Sequence, residues 1–206
     1  MLVPARRWVR WVENFGARHG EVSVAIEAGS LCARAADGTL VRASLPFDRR
    51  YDGPPDAASF ADSVEVPPSW GLLLVRKGGF AIARLHGPRV LDSKVGQRHV
   101  QGRTKAGGQS QQRFARRRDN QARQAYEAAA AHTHRILVEG GHHLDSLVTG
   151  GDRPAVDAVL SDPRLRGVAD VRASRWLTVP DPRRSVLEAA VVDACSIQVA
   201  LTLTAS

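Results

Sequence analysis

The residues whose types and order could do chemistry are Gly107, Gly108 and Gln109, followed directly by Ser110, Gln111, Gln112, Arg113, Phe114, Ala115, Arg116, Arg117 and Arg118. Two consecutive glycines reach backbone conformations closed to other residues and carry no bulk. Such a tip can enter a narrow RNA-walled cavity that a folded body cannot. Gln109 is neutral and gives no ionised base at pH 7. It offers a main-chain N–H, a carboxamide oxygen and two carboxamide N–H donors. These suit hydrolysis of an activated ester, because they can position a water and donate to a developing oxyanion or a leaving hydroxyl. The bare tripeptide is a weak signal. Its structural alternative is a glycine turn that caps a helix, with Ser110 as N-cap.

The charge gives the tripeptide its context. The chain has 206 residues, 29 Lys and Arg against 21 Asp and Glu, a formal charge of +8 and a pI of about 10.6. Nine of those cations fall in residues 94–123: Lys94, Arg98, Arg103, Lys105, Arg113, Arg116, Arg117, Arg118 and Arg123. One anion, Asp119, lies among them, so the rest of the chain holds 20 of each sign and is neutral. The whole excess therefore surrounds one uncharged tip, which is the electrostatic footprint of a nucleic-acid contact. The plainer reading is a solvated basic helix face. Arg103, Lys105, Arg113, Arg116, Arg117, Arg118 and Arg123, with Ser110 beside them, are assigned to RNA; phosphate contacts of this kind position a protein and carry no base specificity. Phe114 reads as a packing residue. Lysine occurs only three times, which fits genomic base composition better than function.

Composition excludes several classes. Hydrophobic residues make up 43% and charged residues 24%, a globular balance. No apolar stretch is long enough to span a bilayer, and the N-terminus has no uninterrupted apolar core of a secretory signal. Two distant cysteines, Cys32 and Cys195, make neither a disulfide framework nor a thiolate metal site. A cytoplasmic protein that contacts no membrane is expected.

The elements that must position the tip follow from periodicity. Residues 4–15 read as an amphipathic helix with Trp8, Val9, Trp11, Val12 and Phe15 on its apolar side, and Pro4 at its start. Residues 21–26, 30–34 and 39–45 read as strands. Residues 47–63 are rich in turn residues and read as a loop or linker, with a boundary near 66. Residues 71–76, 80–85 and 89–95 form a meander through turns at Gly78-Gly79 and Gly87-Pro88. Residues 96–110 read as a long exposed loop. The stretch 111–138 lacks Gly and Pro and repeats small or apolar residues at 115, 122, 125, 129, 133 and 136, a helical stripe. Its N-terminal half carries the basic face, where the helix dipole adds positive charge. Beyond it, strands at 143–149, 176–179 and 197–203 alternate with helices at 153–160, capped by Asp152, and 182–194. A mixed β-sheet with flanking helices, α+β or α/β, is expected.

The run from Gly107 to Arg118 resembles the GGQSxxRFARxR signature of the middle domain of archaeal and eukaryotic class I peptide-chain release factors. The resemblance spans roughly residues 70–200 and includes the meander before the loop and the strand after the helix. Residues 1–66 fall outside it, and neither a stop-codon-reading domain nor a domain for a translational GTPase is found. A GGQ domain with a small N-terminal element looks like the Vms-like release factor (VLRF) group. Both glycines are kept and zinc-finger spacing is absent, so the bacterial branch is the closer match. The resemblance implies a ribonuclease H-like middle-domain architecture in residues 67–206 and a small helix-and-strand element in 1–66. It implies a codon-independent peptidyl-tRNA hydrolase acting in ribosome rescue or quality control. The GGQ loop would sit in the peptidyl-transferase centre of the large subunit, with Gly107, Gly108 and Gln109 catalytic and the partners being ribosome and peptidyl-tRNA. No cofactor or metal is implied, and a monomer is expected.

Two other classes fit parts of the sequence. A metal-dependent tRNA or rRNA endonuclease needs convergent carboxylates, and Asp145, Asp152, Asp157 and Asp162 are its candidates. His132, His134, His142 and His143 could suggest a metal, yet His132 and His134 fall on opposite helix sides with no thiolate to join them. A non-catalytic ribosome- or RNA-binding factor would use the same basic face without turnover. Trp8 and Trp11 read as core of the N-terminal element.

Overall fold

The computed structural model describes the backbone of residues 1–97 and 109–203 and the side chains of residues 1–96 and 123–203. The chain forms two compact units, 1–66 with 191–206, and 67–190.

In the first unit, β1 (Leu2–Val3) precedes α1 (Ala5–His19), which runs one turn beyond the expected end. Trp8, Trp11, Val12 and Phe15 follow the i, i+3, i+4, i+7 rule and face the core, with Trp8 fully buried. Then come β2 (Val22–Glu27), β3 (Ser30–Ala35), β4 (Leu40–Ser44) and a short α2 (Ala57–Asp62) inside the segment expected to be loop. Asp56 caps α2, its carboxylate accepting from the Ser59 N–H at 2.8 Å. Phe60 plugs the core, tilted against Trp8 at 5.7 Å and edge-on to Tyr51 at 4.9 Å.

The second unit holds the meander β5 (Trp70–Arg76), β6 (Gly79–His86) and β7 (Arg89–Gln97), then α3 (Gln109–Leu137), β8 (Ser146–Gly151) and α4 (Arg153–Leu160). A 3-10 turn (Pro163–Leu165), α5 (Arg166–Asp170) and β9 (Arg172–Leu177) follow. The 3-10 turn and α5 fill a stretch without clear periodicity, and β9 starts four residues before the expected strand. The sheet order is β7-β6-β5-β8-β9, with β5, β8 and β9 parallel and β6 antiparallel to both its neighbours. β5 is central, which is why Trp70 to Val75 are all buried. This mixed sheet with helices packed on it is the expected α+β architecture.

The chain ends with α6 (Arg184–Ala194) and β10 (Ile197–Thr202). Sequence adjacency assigns β10 to the second part. Its hydrogen bonds assign it to the first sheet, ordered β1-β10-β4-β3-β2. Ile197 and Val199 are buried in that core, so apolar alternation is satisfied in a sheet that is distant in sequence. Among the described residues no helix is long and apolar enough to cross a membrane.

Candidate functional site

β7 leads into residues 98–108 and α3 leads out of them. Arg103, Lys105, Gly107 and Gly108 lie outside the described residues. Gln109 is the first residue of α3, so Ser110 falls inside the helix and is not its N-cap. The side chains of Gln109, Ser110, Arg113, Phe114, Arg116, Arg117 and Arg118 lie outside the described side chains, although their backbone belongs to α3. Arg123 is exposed. The first four N–H groups of an α-helix have no intrahelical acceptor. Here they belong to Gln109, Ser110, Gln111 and Gln112, where the helix dipole concentrates positive charge.

The 29 residues of α3 measure about 44 Å at 1.5 Å per residue. Its core contacts among described side chains start at Tyr126, half-buried against the core, and continue through the buried Ala129, Ala130, Thr133, Ile136 and Leu137. The part before Tyr126 is about 25 Å long. The helix is thus fixed at its C-terminal half and carries Gln109 at the far end. Buried Thr133 donates its hydroxyl to the Ala129 carbonyl at 2.8 Å, which satisfies it within the helix.

Two contacts tie this base to the meander. The Phe80 ring lies 5.6 Å from the His132 ring. Phe80 also faces Gly96 across β6 and β7, and a Cβ at Gly96 would overlap the ring. Arg135 reaches Asp92 of β7 at 3.5 Å, a long and half-exposed pair of small energetic weight. Burial first, then the charges of Lys94 and Arg135, push the His132 pKa below its usual 6.5.

At the carboxyl end of β5, Arg76 donates to the Val179 carbonyl at 3.0 Å and lies 3.4 Å from Asp152 and 3.7 Å from Asp181. Asp152 stands at the start of α4, as its expected cap does, yet its side chain makes no cap bond. It accepts from the Lys77 N–H at 3.3 Å instead. Gly151, just before it, has φ of +100° and packs so closely on the Val75 carbonyl that a Cβ would collide.

The nuclease candidates are each held separately. Asp145 accepts from the Ser69 N–H at 3.0 Å, Asp157 pairs with Arg172 at 2.8 Å, and Asp162 pairs with Arg164 at 2.7 Å. Hydrogen bonds from Arg164 hold Asp162 at a pKa of about 2. His134 pairs with Glu139 at 3.3 Å, and His142 and His143 are exposed. Among the described residues no group of three or more His, Cys, Asp or Glu could hold a metal ion. Sequence reasoning missed the positioning roles of Phe80, Gly96, Asp92 and Arg135. A glycine inside a strand signals close approach, but periodicity ends this strand at 95 and leaves Gly96 in the loop; nothing marked the Asp92–Arg135 pair.

Comparison with known proteins agrees with the resemblance to release factors. The chain is 33% identical over 98 residues to peptide chain release factor subunit 1 of Pyrococcus abyssi (strain GE5 / Orsay), a match covering 45% of this chain and 23% of that protein's length. Among solved structures, the archaeal translation termination factor aRF1 aligns over 79% of this chain and 48% of its own, at 16% identity and a TM-score of 0.40. The Vms1 mitochondrial localization core aligns over 83% of this chain and 76% of its own, at 13% identity and a TM-score of 0.40. The model of one family matches residues 68–200, which hold the meander, the Gly107-Gly108-Gln109 segment and α3, and the chain belongs to that family: the Actinobacteria/chloroflexi VLRF1 release factors.

Proposed function

We propose that this chain is a codon-independent peptidyl-tRNA hydrolase that frees nascent chains on stalled ribosomes or large subunits. The observation that carries the reading is that Gln109, preceded by two glycines, opens a helix whose far half is locked to a sheet. Membership in a release factor family supports it. The glycine pair gives a tip with little bulk. The Gln109 main-chain N–H is among those a helix start leaves free, and it would donate to the oxyanion that forms when water attacks the ester. The carboxamide would hold that water in place. The products are a free peptide carboxylate and a tRNA with its 3′-hydroxyl restored. Arg103, Lys105, Ser110, Arg113, Arg116, Arg117, Arg118 and Arg123 would hold the tip against RNA phosphates and backbone without reading sequence.

One gel that resolves peptidyl-tRNA, intact tRNA and cut tRNA tests it on purified stalled complexes. The expected product is intact tRNA alone. Shortened RNA would favour an endonuclease, and binding without any product would favour a non-catalytic factor.

A further inference from the structure

The basic segment 94–123 is one concentration of unbalanced positive charge; the open face of α1 is another. Arg6, Arg7, Arg10 and Arg18 are all exposed; Arg6 and Arg10 lie opposite Trp8 and Phe15, and Arg7 and Arg18 lie on the flank beside the half-buried Trp11. None of the four forms an ion pair or side-chain hydrogen bond among the described residues. Two other arginines of the same unit pair, Arg42 with Glu27 at 3.8 Å and Arg49 with Glu65 at 2.6 Å, while Arg34 and Arg50 are exposed singly and form no comparable cluster.

This arrangement works against the helix that carries it. Arg6 and Arg7 stand in the first turn, where the macrodipole disfavours cations, and no acid stands there to offset them. Pro4 at the N-cap gives no side-chain cap. Arg6 and Arg10 are like charges at i, i+4, and Arg7 and Arg10 at i, i+3, spacings that repel. Glu13 sits three residues from Arg10 and makes no pair with it among the described contacts. Arg18 alone is at the end the dipole favours. Local rules broken without a compensating contact point to a role outside the fold.

We propose that this face of α1 is a second phosphate-binding surface for structured RNA, in addition to the basic segment around Gln109. From Arg6 to Arg18 the helix extends about 18 Å, enough to meet several successive phosphates and too long for one carboxylate. A lipid surface fits poorly. The apolar side of α1 is spent on the core, and Val9, 40% exposed, is its one exposed large hydrophobic residue. The inference shares with the proposed function its RNA partner and does not need ester hydrolysis.

The test is the salt dependence of binding of the full chain to a short RNA duplex, followed by anisotropy. The variant carries Arg6→Gln, Arg7→Gln, Arg10→Gln and Arg18→Gln together. The slope of log affinity against log salt is expected to fall by about 2 to 4, with affinity at physiological salt reduced about tenfold or more. The thermal midpoint is expected to stay or rise, since repulsion is removed. The matching four Arg→Lys changes should keep the slope. An unchanged slope in the Gln variant overturns the proposal. So does a drop confined to anionic vesicles or polyglutamate, with RNA binding intact. If the fourfold variant unfolds, the Arg6→Gln/Arg10→Gln pair gives the same reading with about half the change. Because no release is measured, an inactive or active Gln109→Ala protein leaves this result independent of the hydrolase reading.

Discussion

Phe80 and Gly96 are register partners on β6 and β7, and the glycine leaves the space that the Phe80 ring fills. That ring also meets His132 of α3. One side chain therefore joins the strand that enters residues 98–108 to the helix that leaves them. Gly96→Ala must push the ring aside, which is expected to cost about 1–3 kcal/mol. Urea unfolding of the variant measures this. Phe80→Leu in the same chain should recover part of the loss, because the two sites are coupled.

His132 gives a pH signature at the same place. Its folded pKa lies below 6.5 because burial and two nearby cations disfavour the imidazolium. The unfolded chain therefore binds more protons in the window between the two values. Stability from this group is complete above about pH 6.5 and is lost as pH falls through the folded pKa. His132→Gln should flatten the stability–pH curve just below 6.5 relative to the parent, measured by thermal unfolding across that range.

The two halves of α3 should respond in different ways. Leu137 is fully buried and packs over Gly71. Leu137→Ala should cost about 2–5 kcal/mol by leaving a cavity. Arg123→Ala, at an exposed position, should stay within about 0.5 kcal/mol in stability and should weaken RNA binding with a shallower salt slope. Denaturant midpoints and binding titrations of the same two variants check both statements.

The features that were legible in the sequence are those whose signal is local. The meander follows from the apolar run at Leu72 to Val75 and its glycine turns, and α3 from the long stretch without Gly or Pro. The small helix at Ala57 was hidden because its neighbours are turn residues and its stability comes from Phe60 in the core. The Asp56 cap was the one local hint. The sheet membership of Ile197 and Val199 was not readable, because strand pairing at that separation is a tertiary choice with no sequence marker. Asp152 shows a further limit: its position at a helix start was correct, while Arg76 and Lys77 claim its side chain. At the candidate site, charge and glycine spacing single out Gly107 to Gln109 and its arginines, and the supports at Phe80, Gly96 and Asp92 emerge only from packing.

The tip and its arginine collar should separate cleanly in function. The most direct test is nascent-chain release from purified peptidyl-tRNA–ribosome complexes, with binding measured in parallel. Gln109→Ala should bind like the parent and release about 100-fold more slowly, as expected when the water-positioning carboxamide is lost while the main-chain N–H stays. Arg116→Gln with Arg117→Gln should bind more weakly and recover release at high protein concentration. Release by Gln109→Ala at the parental rate would contradict the account.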